Sequence, residues 1–136
     1  MALNNFSTDL SVVTVNGRTI TDWGETDPPY TDGPIDAATV LRRGIGGNAV
    51  RLDRINPGRT VNLYLNPGSA DSAYLQGLFN SKANITLTFT QIGTLETAVG
   101  TEGVMTNDGE RGRIGATTIS DDQFIMEFNA WTGLRG

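Results

Sequence analysis

The chain is expected to fold as a mainly β domain, an antiparallel β-sandwich or open barrel with one short α-helix packed on the sheet. Two observations predict this. Val61, Leu63 and Leu65 alternate with Thr60, Asn62 and Tyr64, and Ile85, Leu87 and Phe89 alternate with Thr86, Thr88 and Thr90. Period-two alternation marks strands with one buried and one wetted face. Between the two runs, Ser69 stands where a helix needs an acceptor for its first unpaired amides, and Asp71 sits at the positive end of that helix. Tyr74, Leu75, Leu78 and Phe79 then share one side, as an apolar stripe. Fully burying four such side chains is worth about 1.5–3 kcal/mol each, so the helix must lie on the sheet.

In chain order, Phe6 to Val15 reads as a first strand, with Phe6, Leu10 and Val12 on one parity. Asn16-Gly17 supplies the positive φ values of a hairpin turn, and a second strand follows from Arg18 to Trp23. Residues 24–38 hold three of the five prolines, which cannot feed a sheet interior, so this segment is expected to be a long exposed loop. Thr39–Ile45 and Ala49–Ile55 form a second hairpin around Gly46-Gly47-Asn48. Asn56-Pro57-Gly58 turns the chain into the strand at 59–66, the helix at 67–79 and the strand at 84–91. Residues 92–108 read as a Gly- and Thr-rich connection. Strands are expected at Arg113–Ser120 and Gln123–Trp131, joined by an Asp121-Asp122 turn; in the last, Phe124, Met126 and Phe128 alternate with polar neighbours. Residues 1–136 make one domain with an extended loop at about 24–38 and no internal repeat.

A chain of 136 residues can bury one core, but 38% hydrophobic residues and 17 glycines suit a β-rich subunit that completes its packing against neighbours. With no cysteine there is no disulfide, zinc-thiolate site or thiol nucleophile, and with no histidine there is no Ser-His-Asp arrangement. Ten bases against fifteen acids disfavour a sequence-independent grip on phosphates. No apolar run approaches the ~18 residues that cross a bilayer, and Met1–Ser7 lacks the basic and apolar blocks of a signal peptide. No membrane insertion is expected, and the chain is expected to stay in the compartment where it is made.

Charge is spread unevenly. Residues 1–38 carry six acids and one base, residues 39–59 five bases and Asp53. A solvated surface with chance clustering, or pairing within one chain, would explain this; the sharper reading is two complementary patches meeting across a subunit boundary, with Asp22, Glu25, Asp27, Asp32 and Asp36 on one side and Arg42, Arg43, Arg51 and Arg54 on the other. Gly44-Ile45-Gly46-Gly47-Asn48-Ala49 matches a dinucleotide-binding pattern, but a strand follows it where that pattern needs a helix. Asp27, Asp32 and Asp36, like Asn107–Glu110, lack the ligand spacing of a calcium loop and read as turns. Arg111-Gly112-Arg113 reads as a solvated turn. No catalytic residue, metal site or cofactor is expected.

The run Asn56–Phe79, with its strand, Asn-Pro-Gly-Ser cap and Leu-rich helix, resembles the tail tube proteins of contractile-tailed bacteriophages. The strand at Ile85–Phe89, the closing strand at Phe124–Trp131, the opening Asn5-Phe-Ser-Thr-Asp-Leu-Ser-Val12 and the basic strand at Thr39–Gly44 extend the resemblance over most of the chain. The Pro-rich acidic loop at 27–34 departs from the family pattern. The resemblance implies a structural virion protein whose subunits form six-membered rings that stack into a tube. Its partners would be copies of itself, the tail sheath and other tail proteins, with genomic DNA passing the lumen unbound. Assembly would take place in the host bacterial cytoplasm. No enzyme activity or cofactor is implied. Thr60, Asn62, Thr86, Thr88 and Thr90 suit a lumen past which a polyanion must slide without sticking. A tube initiator at the baseplate would share these features. In another class, a monomeric β-sandwich that binds glycans or a receptor would use Trp23, Tyr30 and Trp131 as exposed aromatics.

Overall fold

The computed structural model describes residues 10–135 of the chain. The strands are β1 (Ser11–Val15), β2 (Arg18–Ile20), β3 (Tyr30–Pro34), β4 (Thr39–Arg43), β5 (Ala49–Asp53) and β6 (Arg59–Leu65). The helix α1 (Ala70–Ser81) follows, then β7 (Asn84–Gln91), β8 (Glu96–Asn107) and β9 (Asp122–Leu134). Seven strands form one sheet in the order β2-β1-β7-β8-β9-β6-β3, every pair antiparallel, and β4 and β5 form a sheet of their own.

The large sheet is an open barrel. Tyr30 on β3 stacks on Phe89 on β7, ring centroids 4.9 Å apart and 9° from parallel. Four strand spacings separate those two strands in the sheet, about 19 Å if it were flat. The sheet therefore curls until its β3 edge faces β7, yet among the described residues β2 and β3 have no partner on their outer sides. Inside the curl lie Val13, Val15, Ile20, Val61, Leu63, Leu65, Ile85, Leu87, Phe124, Met126 and Phe128, all buried. The alternation read in β6, β7 and β9 falls on this face.

The helix crosses one end of the trough, from the end of β6 to the start of β7. The Ser69 side chain accepts from the Ser72 amide, and Lys82 closes the helix in a left-handed conformation. Only Leu75 of the apolar stripe is fully buried; Tyr74, Leu78 and Phe79 are half-buried. The rest of the inner helix face is polar: Asp71 and Ser72 are buried as well. Leu75→Ala should therefore cost about 2–5 kcal/mol and Leu78→Ala less than half of that, a ranking that urea denaturation of the two variants checks directly.

Four expectations are corrected. The buried parity of β1 is Val13 and Val15, not Val12 and Leu10, and the part of the expected strand before Leu10 lies outside the described residues. The Pro-rich segment is not all loop: Tyr30–Pro34 pairs with β6 as an edge strand, where the one proline it contains ends the pairing opposite Arg59. Residues 96–107 form a twelve-residue strand between β7 and β9. Residues 113–120 are irregular; Arg113 folds back to donate to the Ser120 carbonyl, 3.1 Å away, and to pair with Asp122.

Candidate assembly interface

The β4–β5 hairpin is exposed along its whole length, residue 37 through residue 56. Residues opposite one another in an antiparallel pair share a face. Val40 with Leu52 and Arg42 with Val50 make one face; Thr39 with Asp53, Leu41 with Arg51 and Arg43 with Ala49 make the other. Val40, Val50 and Leu52 thus form an apolar strip beside Arg42, and Ile45 stands fully exposed at the tip. An isolated two-stranded hairpin is marginally stable in water, and the apolar side chains of this one find no cover among the described residues.

The hairpin leaves the sheet where β3 ends and β6 begins, the Ile35 amide donating to Gly58 at 3.3 Å and that of Asp36 to Pro57 at 3.1 Å. The acidic segment lies at the opposite end of β6: Trp23 bridges Leu65, and the Asn66 amide donates to Asp22 at 3.0 Å. Seven residues of β6, about 23 Å of extended strand, lie between. The five acidic candidates are divided by this geometry. Asp32 pairs with Arg59, and Asp36 with Arg54 at 3.9 Å, both within the subunit. Asp22, Glu25 and Asp27 are exposed at the far end. Among the basic candidates Arg51 pairs with Asp53 on its own strand, at 2.8 Å, while Arg42 and Arg43 have no carboxylate partner among the described residues.

Two carboxylates read from the sequence only as a helix-end residue and a turn residue hold the acidic segment in place. Asp71, on the first turn of α1, accepts the amides of Thr21 (2.9 Å) and Asp22 (3.0 Å) and the Arg18 guanidinium (2.8 Å). Asp121 accepts the amides of Glu25 (3.1 Å) and Thr26 (2.7 Å). Burial alone would raise the pKa of both. At Asp71 the two amides, joined by Arg18, outweigh it, and at Asp121 the Thr26 hydroxyl, joined by the two amides, does; each carboxyl is held below the ordinary carboxylate value. A depressed folded pKa stabilises above the unfolded value of about 3.9 and loses that effect as pH falls through the folded one. Asp71→Ala strands two amides at about 1–3 kcal/mol for each buried group left unsatisfied. Denaturation over a pH series should show the deficit largest above about pH 5 and shrinking in acid.

Thr60, Asn62, Thr86, Thr88 and Thr90 share the outer face of the sheet; Thr86 and Thr88 are exposed, the other three half-buried. The register extends this face sideways through Thr14, Thr88 and Val99 and through Val12, Thr90 and Thr97. The seven strands carry two cations, Arg18 and Arg59, and both turn to carboxylates, Asp71 and Asp32. The outer face is hydroxyl-rich and free of bases. The aromatics expected to be exposed are not: Trp23, Tyr30 and Trp131 are half-buried against the core, Tyr30 on Phe89 and Trp131 tilted on Phe128 at 5.7 Å. They offer no open platform for a sugar.

No family profile matches the chain, and no curated protein does. Solved structures share its architecture. One is a chain of an extracellular contractile injection system, the PVC sheath–tube complex in the extended state, with a TM-score of 0.61 and 16% identity over 97% of this chain and 93% of the other. The chain has the tube fold. The anti-feeding prophage cap, a tube-terminating cap, gives 0.58 and 17% over 100% and 95%. The PVC sheath/tube terminator in the extended state gives 0.56 and 18% over 91% and 92%. At these identities the likeness is one of fold. The tube fold accounts for the curled seven-stranded sheet and the helix across its end.

Proposed function

We propose that this chain is the structural subunit of a bacteriophage tail tube of the contractile type, in which six copies close a ring and rings stack around a lumen that conducts DNA. The observation that carries this reading is the hairpin, which holds an apolar strip and two unpaired arginines at one end of a subunit whose unpaired carboxylates sit at the other. Such unlike ends associate head to tail, and head-to-tail contacts propagate or close rather than stop at a dimer. The two open sheet edges add lateral contacts in which strands of adjacent copies pair. The base-free hydroxyl face is then suited to line the lumen, since a polyanion finds no cation there to hold it. A sheath would take the outer surface of the tube, the particle would be a virion component put together in the bacterial cytoplasm, and no catalysis is needed for any of these steps.

A second reading is favoured by the cap and terminator structures that share the fold: a subunit that ends a tube instead of extending it. Electron microscopy of purified protein over a concentration series separates the two. Tubes longer than two rings support the first, single rings that bind the end of a tube support the second, and a monomer at all concentrations excludes both.

A further inference from the structure

At the α1 end of the subunit a cleft of about 350 Å³ lies between the acidic segment and the irregular loop before β9, with Glu25 on one wall, Thr117 and Ile119 on the other and Asp121 between. Both walls are fixed. Gly24 has no room for a side chain, since a Cβ there would meet the Asp121 carboxylate at 2.3 Å. On the loop, Gly112 and Ser120 are tied twice, by the Gly112 amide to the Ser120 hydroxyl at 2.6 Å and by the Ser120 amide to the Gly112 carbonyl at 3.1 Å. A Cβ at Gly115 would lie 1.9 Å from the Thr118 carbonyl oxygen. The loop so held presents Ile119 exposed beside the cleft, and Ile114 fully exposed at φ 63°, a conformation that a β-branched residue seldom adopts. Apolar side chains on an acidic rim, rigidly presented, contribute nothing to the core.

We propose that this cleft receives the tip of the β4–β5 hairpin of a second copy of the chain, with Ile45 entering it and Arg42 and Arg43, one on each face of the hairpin behind the tip, brought to the acidic rim that carries Glu25 and Asp27. The inference rests on the tube reading above and adds to it the surface on which the hairpin lands. Three observations select this occupant. The tip is apolar, and Gly44, Gly46 and Gly47 around Ile45 keep it narrow enough for a confined cleft. Its two unpaired arginines are opposite in charge to Glu25 on the cleft wall and to Asp27, exposed two residues further along the same segment. A subunit's own tip departs from the opposite end of β6, so the occupant comes from a neighbour.

The chain contains no cysteine, so an engineered pair reports this contact alone. Ile45→Cys and Thr118→Cys, both at exposed positions, are prepared as separate proteins, mixed, assembled and oxidised. The mixture should give about tenfold more cross-linked dimer than either variant alone, because a disulfide forms only where the two Cα atoms come within roughly 7 Å. Adding Glu25→Arg and Asp27→Arg to the Thr118→Cys protein should abolish that excess. Assemblies that form normally without the mixed cross-link overturn the proposed seat and leave the tube reading standing. A wild-type protein that stays monomeric at every concentration overturns both.

Discussion

Phe128→Ala should remove about 3–5 kcal/mol of stability and lower the melting temperature by roughly 10–20 °C. The ring is fully buried on β9 and lies over two glycines of β8: Gly103, its ladder partner there, and Gly100, the partner of Trp131. A Cβ at Gly103 would lie 2.3 Å from the ring, and one at Gly100 2.9 Å. Removing the ring leaves a void whose floor has no side chain to collapse into it, which places the loss at the upper end of its range. The converse change, Gly103→Ala, forces the ring and the Ile85 carbonyl at 2.9 Å to give way, at about 1–3 kcal/mol. Because both substitutions act on one space, they should not add. Denaturant curves for the wild type, the two single variants and the double variant should show the second change costing little once the first is made. Simple additivity would mean that the ring and the glycines do not share that space.

The largest effect on assembly is expected from Arg42→Glu with Arg43→Glu. Both side chains are exposed and have no carboxylate partner among the described residues, so the subunit should keep its melting temperature. Tube growth should stop. A single exposed pair contributes only about 0–1 kcal/mol, but a stacked ring repeats each contact around its circumference, and charge reversal turns every one of them repulsive. High salt should weaken wild-type assembly as well, since the screening length falls to roughly 3 Å at 1 M. Reversing Glu25 and Asp27 in the same chain should restore part of the growth. Asp32 is not a suitable partner for that restoration, because it is held by Arg59 inside the subunit. Tubes that grow equally well from the arginine reversal, or that ignore salt, would show that the contact lies elsewhere.

The elements read correctly from the chain are those whose inner face is made of large side chains. Val61, Leu63 and Leu65 in β6, Ile85 and Leu87 in β7, and Phe124, Met126 and Phe128 in β9 announce their strands because each fills its own share of the core. The strand β8 was illegible for the opposite reason. Its inward positions include Ala98, Gly100 and Gly103, emptied to admit Phe128 and Trp131 from the neighbouring strand, so its packing partner is written in β9 and not in itself. In β1 three of five residues are valine, and Val12 and Val13 offer both parities; only pairing with β7 decides between them. The prolines that hid β3 flank its core, and an edge strand tolerates the last of them. The charge division was visible in the sequence, but which acids were already paired was not. Asp32 and Asp36 find arginines 27 and 18 residues away, through the β3–β6 ladder and the hairpin base, contacts that no local pattern encodes.

The stack of Tyr30 on Phe89 bears on how many copies a closed assembly would hold. A sheet that curls without closing presents its two margins at a definite angle to each other, and in a ring of identical subunits joined margin to margin that angle, summed around the circle, must come to a full turn. The curl is pinned where the two aromatic planes meet. A smaller residue at position 30 would leave the core largely intact yet slacken this hinge. Wild-type rings should therefore be uniform in subunit number, whereas Tyr30→Ala should give a mixture of circumferences, a geometric phenotype that melting curves would miss and that mass photometry or averaged end-on images would count.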